Sequence, residues 1–527
     1  MAISYEGAIR IIKAEATASS HTFQESTETI QSYKALNRIS KSTHLSPLST
    51  PKWDTSAMDG YALSSKATQG ASEQNPVAFA VKATIAAGDE PPAISRAPEN
   101  GIYPCVEIMT GARFPPTVGG DLPFDCCVRV EDIVPATANS ITKGSSTREK
   151  AGNFIHVGKP ARPNQHKRFA GEDFQRGDMI VEGGSIIRPR HVMALASVGI
   201  EALTVLRKLR VAVFSTGSEL INAGDESPPK FSSTTASGRI PDVNGPYISA
   251  TLEEQGCDVD FLGVIEDNSE IAAKKLISHL QQGRWQYDML ITTGGVSVGK
   301  FDFIREAIER LNASILFHRV AMRPGHPALF ATIPYTSGSW ASGSCNGNVT
   351  CTPIVPPFTS PSEHVNNKKE EKKVAYFGLP GNPVASAACL QFLVMPFLRT
   401  LVSKPCDLPI PAIVRPLEKH YQHANGDKKN GVKQGDRAGG LDLANGISTN
   451  RKLVASFPSD KDVFRAGKVL SAGGHGIMEV SIITDHSPGK VSPFLGADCW
   501  VHVHQGCAEL REGDYVDLYP LMSGRAI

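Results

Sequence analysis

Between Arg210 and Leu401 the sequence alternates short apolar runs with longer segments of helical spacing, and this rhythm constrains the fold more than any other feature. Strands that alternate with crossover helices form a largely parallel sheet, so the segment predicts a three-layer α/β unit. Such sheets bind ligands beyond the carboxyl ends of their strands. The predicted strands are 211–215, 259–264, 289–293, 315–320, 328–332 and 374–378, and the predicted helices are 245–255, 269–282, 301–311 and 383–401.

The flanking regions differ in character, so the chain is predicted to be a multidomain protein of α/β and β type. Its 527 residues exceed what a single compact core usually contains. Residues 6–16 have the spacing of a short amphipathic helix, and a polar Ser/Thr/Gln stretch follows from Thr17 to Ser32. The predicted domains are a mixed N-terminal helical domain (1–52 and 154–206), a small β domain (53–153), the α/β unit (207–403) and a C-terminal β-barrel, or alternatively a sandwich (404–527).

Two polar inserts interrupt this scheme, at 335–373 within the α/β unit and at 422–447 within the C-terminal domain. Their composition predicts disordered loops. The charges of the first insert are of both signs, which favours a solvated linker over a segment that binds a partner.

The overall composition excludes several classes of protein. Hydrophobic residues make up 41% of the chain and charged residues 20%, which excludes a disordered polyelectrolyte and a coiled coil. A formal net charge of +1 gives no global attraction to nucleic acid or anionic lipid, so we expect no nucleic-acid partner. An anionic ligand must therefore be held by a local arrangement of cations and amides.

Cysteine usage and hydropathy predict a cytoplasmic protein. The ten cysteines include no C-x-x-C pair, which favours reduced thiols. The first 20 residues lack the apolar block of a signal peptide. The apolar stretch Ala385–Leu398 falls short of the roughly 18 residues that a membrane span needs, so no membrane association is expected.

A glycine-rich turn joins a predicted strand to a predicted helix and is a candidate phosphate site. Gly294, Gly295, Ser297 and Gly299 lie in a geometry that can present backbone N–H groups to an anion. A phosphate loop of the nucleotide-hydrolase kind is rejected, because Phe301 stands where Ser or Thr must hold Mg²⁺. A simple tight turn remains the alternative.

A second predicted helix start follows the strand 374–378, with Pro380, Gly381, Asn382 and Pro383 in sequence. Asn382 can cap the helix and Pro383 fits its first turn, so ordinary capping is one interpretation. The other places this turn at the same sheet edge as the glycine-rich turn.

A cluster of cationic residues precedes that turn in the sequence, at Arg319, Arg323 and His326. Two guanidinium groups and an imidazole suit an oxyanion, while a solvated surface cluster fits the spacing equally well.

Five carboxylates stand where the chain leaves regular structure, and two of them suit a magnesium site. Mg²⁺ prefers one or two carboxylates together with phosphate oxygens, so Asp267 and Asp302 near the glycine-rich turn are candidate ligands. Each could instead be a helix cap or a solvated loop acid. Neither His318 nor His326 has zinc-ligand spacing to a cysteine, and no G-x-S-x-G motif is present. The five carboxylates are Asp59, Asp173, Glu219, Asp267 and Asp302.

Five motifs, in this order along nearly the whole chain, resemble those of the molybdopterin molybdenumtransferases, which include bacterial MoeA and the E domain of gephyrin. Each motif alone would be weak, whereas the ordered set is specific. The motifs occupy 56–62 (SAMDGYA), 108–112 (IMTGA), 215–220 (STGSEL), 294–299 (GGVSVG) and 378–384 (GLPGNPV).

The resemblance implies an elongated four-domain homodimer whose α/β unit is the molybdopterin-binding domain. It also implies insertion of molybdate into adenylylated molybdopterin, with Mg²⁺ required and AMP released. A separate molybdopterin adenylyltransferase would supply the substrate, and molybdoenzymes would receive the product. The five carboxylates fall on acidic active-site positions of the family, and Pro380 and Pro383 fall on its rigid proline turn. In such dimers the active site lies between the α/β domain of one subunit and Asp59 of the partner subunit.

Together these interpretations give a hypothesis for the site. Glycine-loop amides and Ser297 hold phosphate, Asp267 and Asp302 position Mg²⁺, and the proline turn with Ser386 completes the substrate site. Arg319, Arg323 and His326 hold molybdate.

The alternative is a non-catalytic molybdopterin-binding or scaffold paralogue of the same fold. The family commonly has lysines at the three cationic positions, an acid in place of Lys300 and often serine in place of Ala385.

Overall fold

A computed structural model of the chain provides the coordinates, and the described residues form two compact units, Thr29–Val205 and Met1–Glu28 together with Leu206–Ile527. Most of the two predicted inserts lies outside them, as do Gly299, Lys300 and Asp302. The described residues are 2–95, 97–116, 122–134, 154–221, 239–282, 287–297, 303–335, 372–416, 451–472, 477–485 and 487–521.

A six-stranded sheet forms the centre of the larger unit. The first three pairings between its strands are parallel and the last two are antiparallel. The predicted parallel arrangement is confirmed for four strands. The last two strands are joined by a short helix-free segment, which suits an antiparallel pair better than a parallel crossover. In spatial order the strands are Asp258–Ile265, Arg210–Thr216, Met289–Thr293, Lys372–Leu379, Leu329–Tyr335 and Ser314–His318.

Helices cover this sheet and give the predicted three-layer α/β unit. Every residue of the central strand Met289–Thr293 is buried, as expected for a strand covered on both faces. The helices of the unit are Asn244–Glu254, Ser269–Gln282, Ile304–Glu309, Pro383–Cys389 and Met395–Leu401, the last two joined by a π-helical segment at Leu390–Val394.

The predicted single strand 315–320 is wrong at its C-terminal end. The chain forms two strands, Ser314–His318 and Val320–Arg323, separated by Arg319 with a φ of 78°. The second strand leaves the α/β sheet, because it pairs with Ile3–Ser4 on one side and with residues 462–463 on the other. A left-handed arginine between two apolar runs has no recognisable sequence signal.

The N-terminal helix is longer than the predicted 6–16 and runs from Tyr5 to Gln24. Its polar half remains helical because one face is packed: Ala16 is fully buried and Phe23 is 5% exposed. The guanidinium of Arg207 lies 4.9 Å from the Phe23 ring centroid. Tertiary packing therefore overrides the weak helix propensity of the Ser/Thr-rich segment.

The helical run Pro383–Leu401 is apolar because it is a core helix. Its 19 residues would suffice for a membrane span by length and composition, which corrects the prediction that the stretch is too short. In the fold, however, 83% of the apolar window is buried. Pro396 has no N–H to donate to the carbonyl of Phe392, which explains a π-helical segment there.

A closed β-barrel at the C-terminal end confirms the predicted barrel. Each of its five main strands pairs with two neighbours, so the ring closes on itself. Its interior is apolar and includes Val463, Val480 and Val501. In order around the ring the strands are Asp462–Ala472, Met478–Ile482, Ile410–Val414, Tyr515–Pro520 and Cys499–Val503; Leu453–Ser456 pairs separately with Glu509–Arg511, and a short helix spans Ser492–Leu495.

The unit Thr29–Val205 contains a second six-stranded sheet, a helix at Pro189–Ser197 and several two-stranded ribbons. This sheet extends beyond residue 153, because Phe154–Val157 pairs with the strand Val77–Ile85. The sheet order is Cys126–Arg129, Gly60–Leu63, Tyr103–Ile108, Val77–Ile85, Phe154–Val157 and Ile133–Val134; the ribbon strands are Thr27–Gln31, His44–Leu45, Thr55–Ser56, Lys167–Arg168, Met179–Val181 and Ala202–Leu206.

Candidate active site

The glycine-rich turn lies at the carboxyl edge of the α/β sheet, directly after Met289–Thr293. Gly294 and Gly295 have φ values of 87° and 65°, a region that favours glycine. A Cβ on Gly294 would lie 2.6 Å from Oγ1 of Thr216. The amide of Gly294 donates to the carbonyl of Leu379 at 2.9 Å. The amide of Gly294 therefore already has a hydrogen-bond partner within the fold. Gly294 is required for the conformation of the turn and does not donate a hydrogen bond to phosphate.

The turn after the neighbouring strand brings two predicted acids to the same edge. Oγ1 of Thr216 donates to the carbonyl of Thr293 at 2.9 Å, which ties this turn to the glycine-rich turn. Beyond it, the amide of Ser218 donates to Oδ2 of half-buried Asp267 at 3.1 Å. Glu219 is exposed beside Ser218. Asp267 therefore contacts the turn that carries Glu219.

Asp242, which the sequence analysis did not single out, organises this edge. Its Oδ1 accepts hydrogen bonds from the amides of Asn244 (3.0 Å) and Gly245 (3.3 Å) at the start of the helix Asn244–Glu254. Its Oδ2 accepts from the hydroxyl of Ser215 at 2.5 Å. Nδ2 of Asn244 in turn donates to the carbonyl of Gly381 at 2.7 Å. Asp242 thus joins a strand end, a helix start and the proline turn.

Replacing Asp242 with alanine is expected to lower the free energy of unfolding by about 1 to 2 kcal/mol, because a helix cap is lost. Replacement with asparagine should retain most of the stability, because asparagine caps helices as well as aspartate does. Denaturant titration of the two variants measures the difference. Equal losses in both would show that the charge of Asp242, and not its capping geometry, stabilises the edge.

The proline turn contacts the glycine-rich turn. A Cβ on Gly381 would lie 3.6 Å from Cα of Gly294. Asn382 begins the helix Pro383–Cys389, as predicted, although its side chain makes no capping hydrogen bond. Ser386 is fully buried and its hydroxyl donates to the carbonyl of Pro380. Ser386 therefore holds the shape of the turn and does not offer its hydroxyl to a substrate.

Two of the three predicted cations, His326 and Arg323, have different surroundings. Nδ1 of His326 is 2.8 Å from the carbonyl of Val320, which ties the imidazole back to its own turn. The carbonyl of Arg319 accepts from the amide of Ile3 at 3.0 Å. Of the three, Arg323 lines a cavity of about 70 Å³ between the proline turn and the barrel.

That cavity contains two further cations that sequence reasoning missed, Arg465 and Lys490. Lys490 Nζ donates to Oδ1 of Asp485 at 2.7 Å, and Asp485 also lines the cavity. Arg465 stands in a barrel strand, more than 100 positions from Arg323 in the sequence. An isolated arginine in an alternating strand carries no signal that links it to such a distant turn.

Arg465 is the most perturbed group of the cavity. It is 9% exposed, and its Nε has no hydrogen-bond partner among the described residues. Burial, together with the nearby charge of Arg323, lowers the pKa of Arg465 to about 10. Two like charges, one of them buried with an unused donor, are suited to an anion.

The two remaining predicted acids lie in the unit Thr29–Val205, and both are exposed. Oδ1 of Asp59 accepts from the amide and the hydroxyl of Thr110, at 2.6 and 2.8 Å. These bonds lower the pKa of Asp59, the amide contributing most. The two bonds from Thr110 therefore orient the carboxylate of Asp59. The amide of Asp173 donates to the carbonyl of Thr50 at 2.9 Å.

Comparison with known proteins gives matches along most of the chain. Residues 3–199 match the family described as "MoeA N-terminal region (domain I and II)", and residues 212–400 match "Probable molybdopterin binding domain". The molybdopterin molybdenumtransferase of Synechococcus elongatus is 30% identical over 421 residues, which cover 79% of this chain and 86% of the relative. The protein of the same name from Haemophilus influenzae is 29% identical over 379 residues, 72% of this chain and 74% of the relative.

A solved structure shares the fold. The crystal structure of the molybdopterin biosynthesis MoeA protein from Pyrococcus horikosii aligns with a TM-score of 0.60 and 22% identity, covering 99% of this chain and 100% of the other. At this identity the likeness establishes the multidomain α/β fold.

Proposed function

The chain belongs to the molybdopterin molybdenumtransferase family, and we propose that it inserts molybdate into adenylylated molybdopterin with release of AMP. It is an enzyme of molybdenum cofactor biosynthesis. The observation that carries the finer proposal is the small cationic cavity of Arg323 and Arg465 beside the proline turn.

Molybdate is proposed to bind in that cavity. Its volume of about 70 Å³ accommodates a small tetrahedral oxyanion or a few waters, but not a pterin nucleotide. Guanidinium donors form short, charge-assisted bonds to oxyanions. A dianion would relieve the repulsion between Arg323 and Arg465 and would satisfy the unused Nε of Arg465.

The pterin nucleotide is proposed to bind at the carboxyl edge of the α/β sheet. Gly294, Gly295 and Gly381 leave this edge without side chains, and Ser297 is exposed beside them. Ligands of open α/β sheets bind at this edge. Helix Pro383–Cys389 starts here, and Val384 of that helix lines the cationic cavity, so the two substrates would meet across the proline turn.

Magnesium fits the acids at this edge. Asp267 and Glu219 offer the carboxylate oxygens that Mg²⁺ prefers, and Asp267 is fixed by the amide of Ser218. Bound there, Mg²⁺ would supply Lewis-acid polarisation of the phosphoanhydride. Asp302 is the further proposed ligand on its motif position, and it lies outside the described residues.

Replacing Asp302 with asparagine is expected to lower the rate of AMP release at least 100-fold while leaving the affinity for molybdopterin within a few-fold of wild type. The physical reason is the loss of one carboxylate next to the phosphoanhydride, with the pterin contacts retained. Glu270→Gln is the matched control, because Glu270 pairs with Lys274 on an exposed helix face of the same unit. Wild-type turnover in Asp302→Asn would remove Asp302 from the chemistry.

The proposal includes a cytoplasmic homodimer that receives its substrate from a separate molybdopterin adenylyltransferase and passes its product to molybdoenzymes. Light scattering tests the dimer directly. A mass twice that of the 56.4 kDa chain is expected, and a monomer mass at micromolar concentration would contradict it.

A further inference from the structure

We propose that the outer face of the C-terminal barrel binds a divalent transition-metal ion through Asp462, His502 and His504. One ligand atom from each residue lies within 4.8 Å of the other two. Asp462 begins one barrel strand, and His502 lies on the antiparallel neighbour, with His504 two positions further along. None of the three residues belongs to the glycine-rich turn or to the acids at the sheet edge.

The three ligand atoms lie close enough together to share one metal ion, which would replace the hydrogen-bond contact between Asp462 and His502. Oδ1 of Asp462 lies 2.8 Å from Nε2 of His502 and 3.9 Å from Nδ1 of His504. Two ligand atoms of a tetrahedral zinc site, each about 2.0 to 2.1 Å from the metal, are separated by about 3.3 Å. The observed distances lie on either side of that value, so small side-chain shifts would centre an ion between the three groups.

A fourth residue orients one of the ligands. Nε2 of His504 is 2.8 Å from Oδ2 of Asp517, on the barrel strand Tyr515–Pro520. Since an ionised carboxylate only accepts, a neutral imidazole in this bond carries its proton on Nε2 and turns the Nδ1 lone pair toward Asp462. A carboxylate that accepts from the far nitrogen of a histidine is the usual support of a metal-bound imidazole.

His502 is held rigidly in place by packing. It is 4% exposed, and its ring stacks on Phe464 with centroids 4.5 Å apart, while Tyr5 approaches edge-on at 5.8 Å. Its Nδ1 is buried without a hydrogen-bond partner among the described residues. Asp462 is 8% exposed. Two of the three ligands are therefore preorganised, which reduces the entropy lost on metal binding.

The donor set selects the class of metal. Two imidazoles and one carboxylate suit Zn²⁺ and its first-row neighbours, whereas Mg²⁺ and Ca²⁺ prefer oxygen ligands. Three protein ligands leave a coordination position for water or a small ligand. Asp462, His502 and His504 line a cavity of about 520 Å³ between the barrel, the N-terminal helix and the helix Met395–Leu401.

Isothermal titration of the full-length, chelator-treated protein with Zn²⁺, in excess Mg²⁺, tests the proposal. Wild type should bind one ion per chain at this site. His504→Gln should weaken its affinity at least tenfold, and Asp517→Asn should weaken it about 10- to 100-fold. The His504 side chain is 64% exposed, so His504→Gln should keep the fold. His21→Gln, at an exposed position of the N-terminal helix, is the matched control and should bind as wild type does.

Cobalt substitution separates this site from the cysteines. Co²⁺ bound as proposed should give visible ligand-field bands without thiolate charge-transfer absorption, and His504→Gln should abolish these bands. Zinc affinity equal in wild type, His504→Gln and Asp517→Asn would overturn the proposal. A thiolate spectrum unchanged by His504→Gln would overturn it as well, by placing the metal on cysteine.

Discussion

Arg465→Met is expected to lower molybdate affinity about 10- to 100-fold and to reduce AMP release in proportion at subsaturating molybdate. A hydrogen bond between charged partners contributes about 1.5 to 3 kcal/mol, and tenfold in affinity corresponds to about 1.4 kcal/mol. Methionine fills similar volume without charge. Molybdate titration of turnover, with the pterin substrate held in excess, measures the effect.

The free energy of unfolding of Arg465→Met should also differ from the result expected for an arginine that only supports the fold. Because the pKa of Arg465 is lowered to about 10 in the folded chain, the unfolded chain holds that proton more tightly. Charged Arg465 therefore costs stability throughout the range below about pH 10, and this cost disappears as the pH rises beyond it. At neutral pH, Arg465→Met without anion should be at least as stable as wild type.

Thermal unfolding with and without molybdate completes this test. Molybdate should raise the melting temperature of wild type but not that of Arg465→Met. Arg451→Met is the control, because Arg451 pairs with Asp514 at the exposed surface. If molybdate stabilises wild type and Arg465→Met equally, the cationic cavity is not the molybdate site.

Gly294→Ala is expected to destabilise the protein by about 3 kcal/mol or more and to abolish transferase activity. The residue has a φ of 87°, and its new Cβ would lie 2.6 and 2.7 Å from Oγ1 and the carbonyl oxygen of Thr216. Since one of these atoms is backbone, the two turns must separate to admit the methyl group. That movement would break the bond from the Gly294 amide to Leu379.

Gly506→Ala in the same unit is the matched control. Gly506 has a φ of 96°, and a Cβ there would meet nothing within 4 Å. Its substitution should therefore carry only the backbone cost of about 1 to 2 kcal/mol and retain activity. Denaturant unfolding and turnover of both variants give the comparison. Equal effects in the two would show that close approach of the turns is not what requires glycine at position 294.

The α/β unit could be predicted from sequence because its signals are local. The apolar run Met289–Thr293 matches its predicted strand residue for residue, and the helix Ser269–Gln282 matches its predicted limits. Gly294 and Gly295 mark a turn that requires positive φ. Periodicity and turn chemistry suffice where each residue's environment is set by its neighbours in the chain.

Features that depend on distant parts of the chain could not be predicted. The strand Val320–Arg323 pairs with residues 462–463 of the barrel on one side and with residues 3–4 on the other, and neither pairing is visible from the local pattern. The N-terminal helix extends beyond the predicted end because Ala16 and Phe23 are buried by tertiary contacts.

The cationic cavity also depends on residues that are distant in the sequence and could not be predicted. Arg323 and His326 are close in sequence, but in the fold the imidazole of His326 contacts the carbonyl of Val320, whereas Arg323 lines a cavity together with Arg465. Asp462 likewise meets His502 only because two antiparallel strands pair. Sequence spacing can identify a site whose residues lie within one turn. A site whose residues come from different strands can be recognised only in the folded structure.

Molybdate-dependent release of AMP from adenylylated molybdopterin, measured with the purified protein and Mg²⁺ and coupled to reconstitution of a molybdenum-free apoenzyme, tests the central claim most directly. We expect AMP release that requires molybdate, together with recovery of apoenzyme activity. Tight molybdopterin binding with neither AMP release nor reconstitution would contradict the proposed reaction and identify a non-catalytic member of the family.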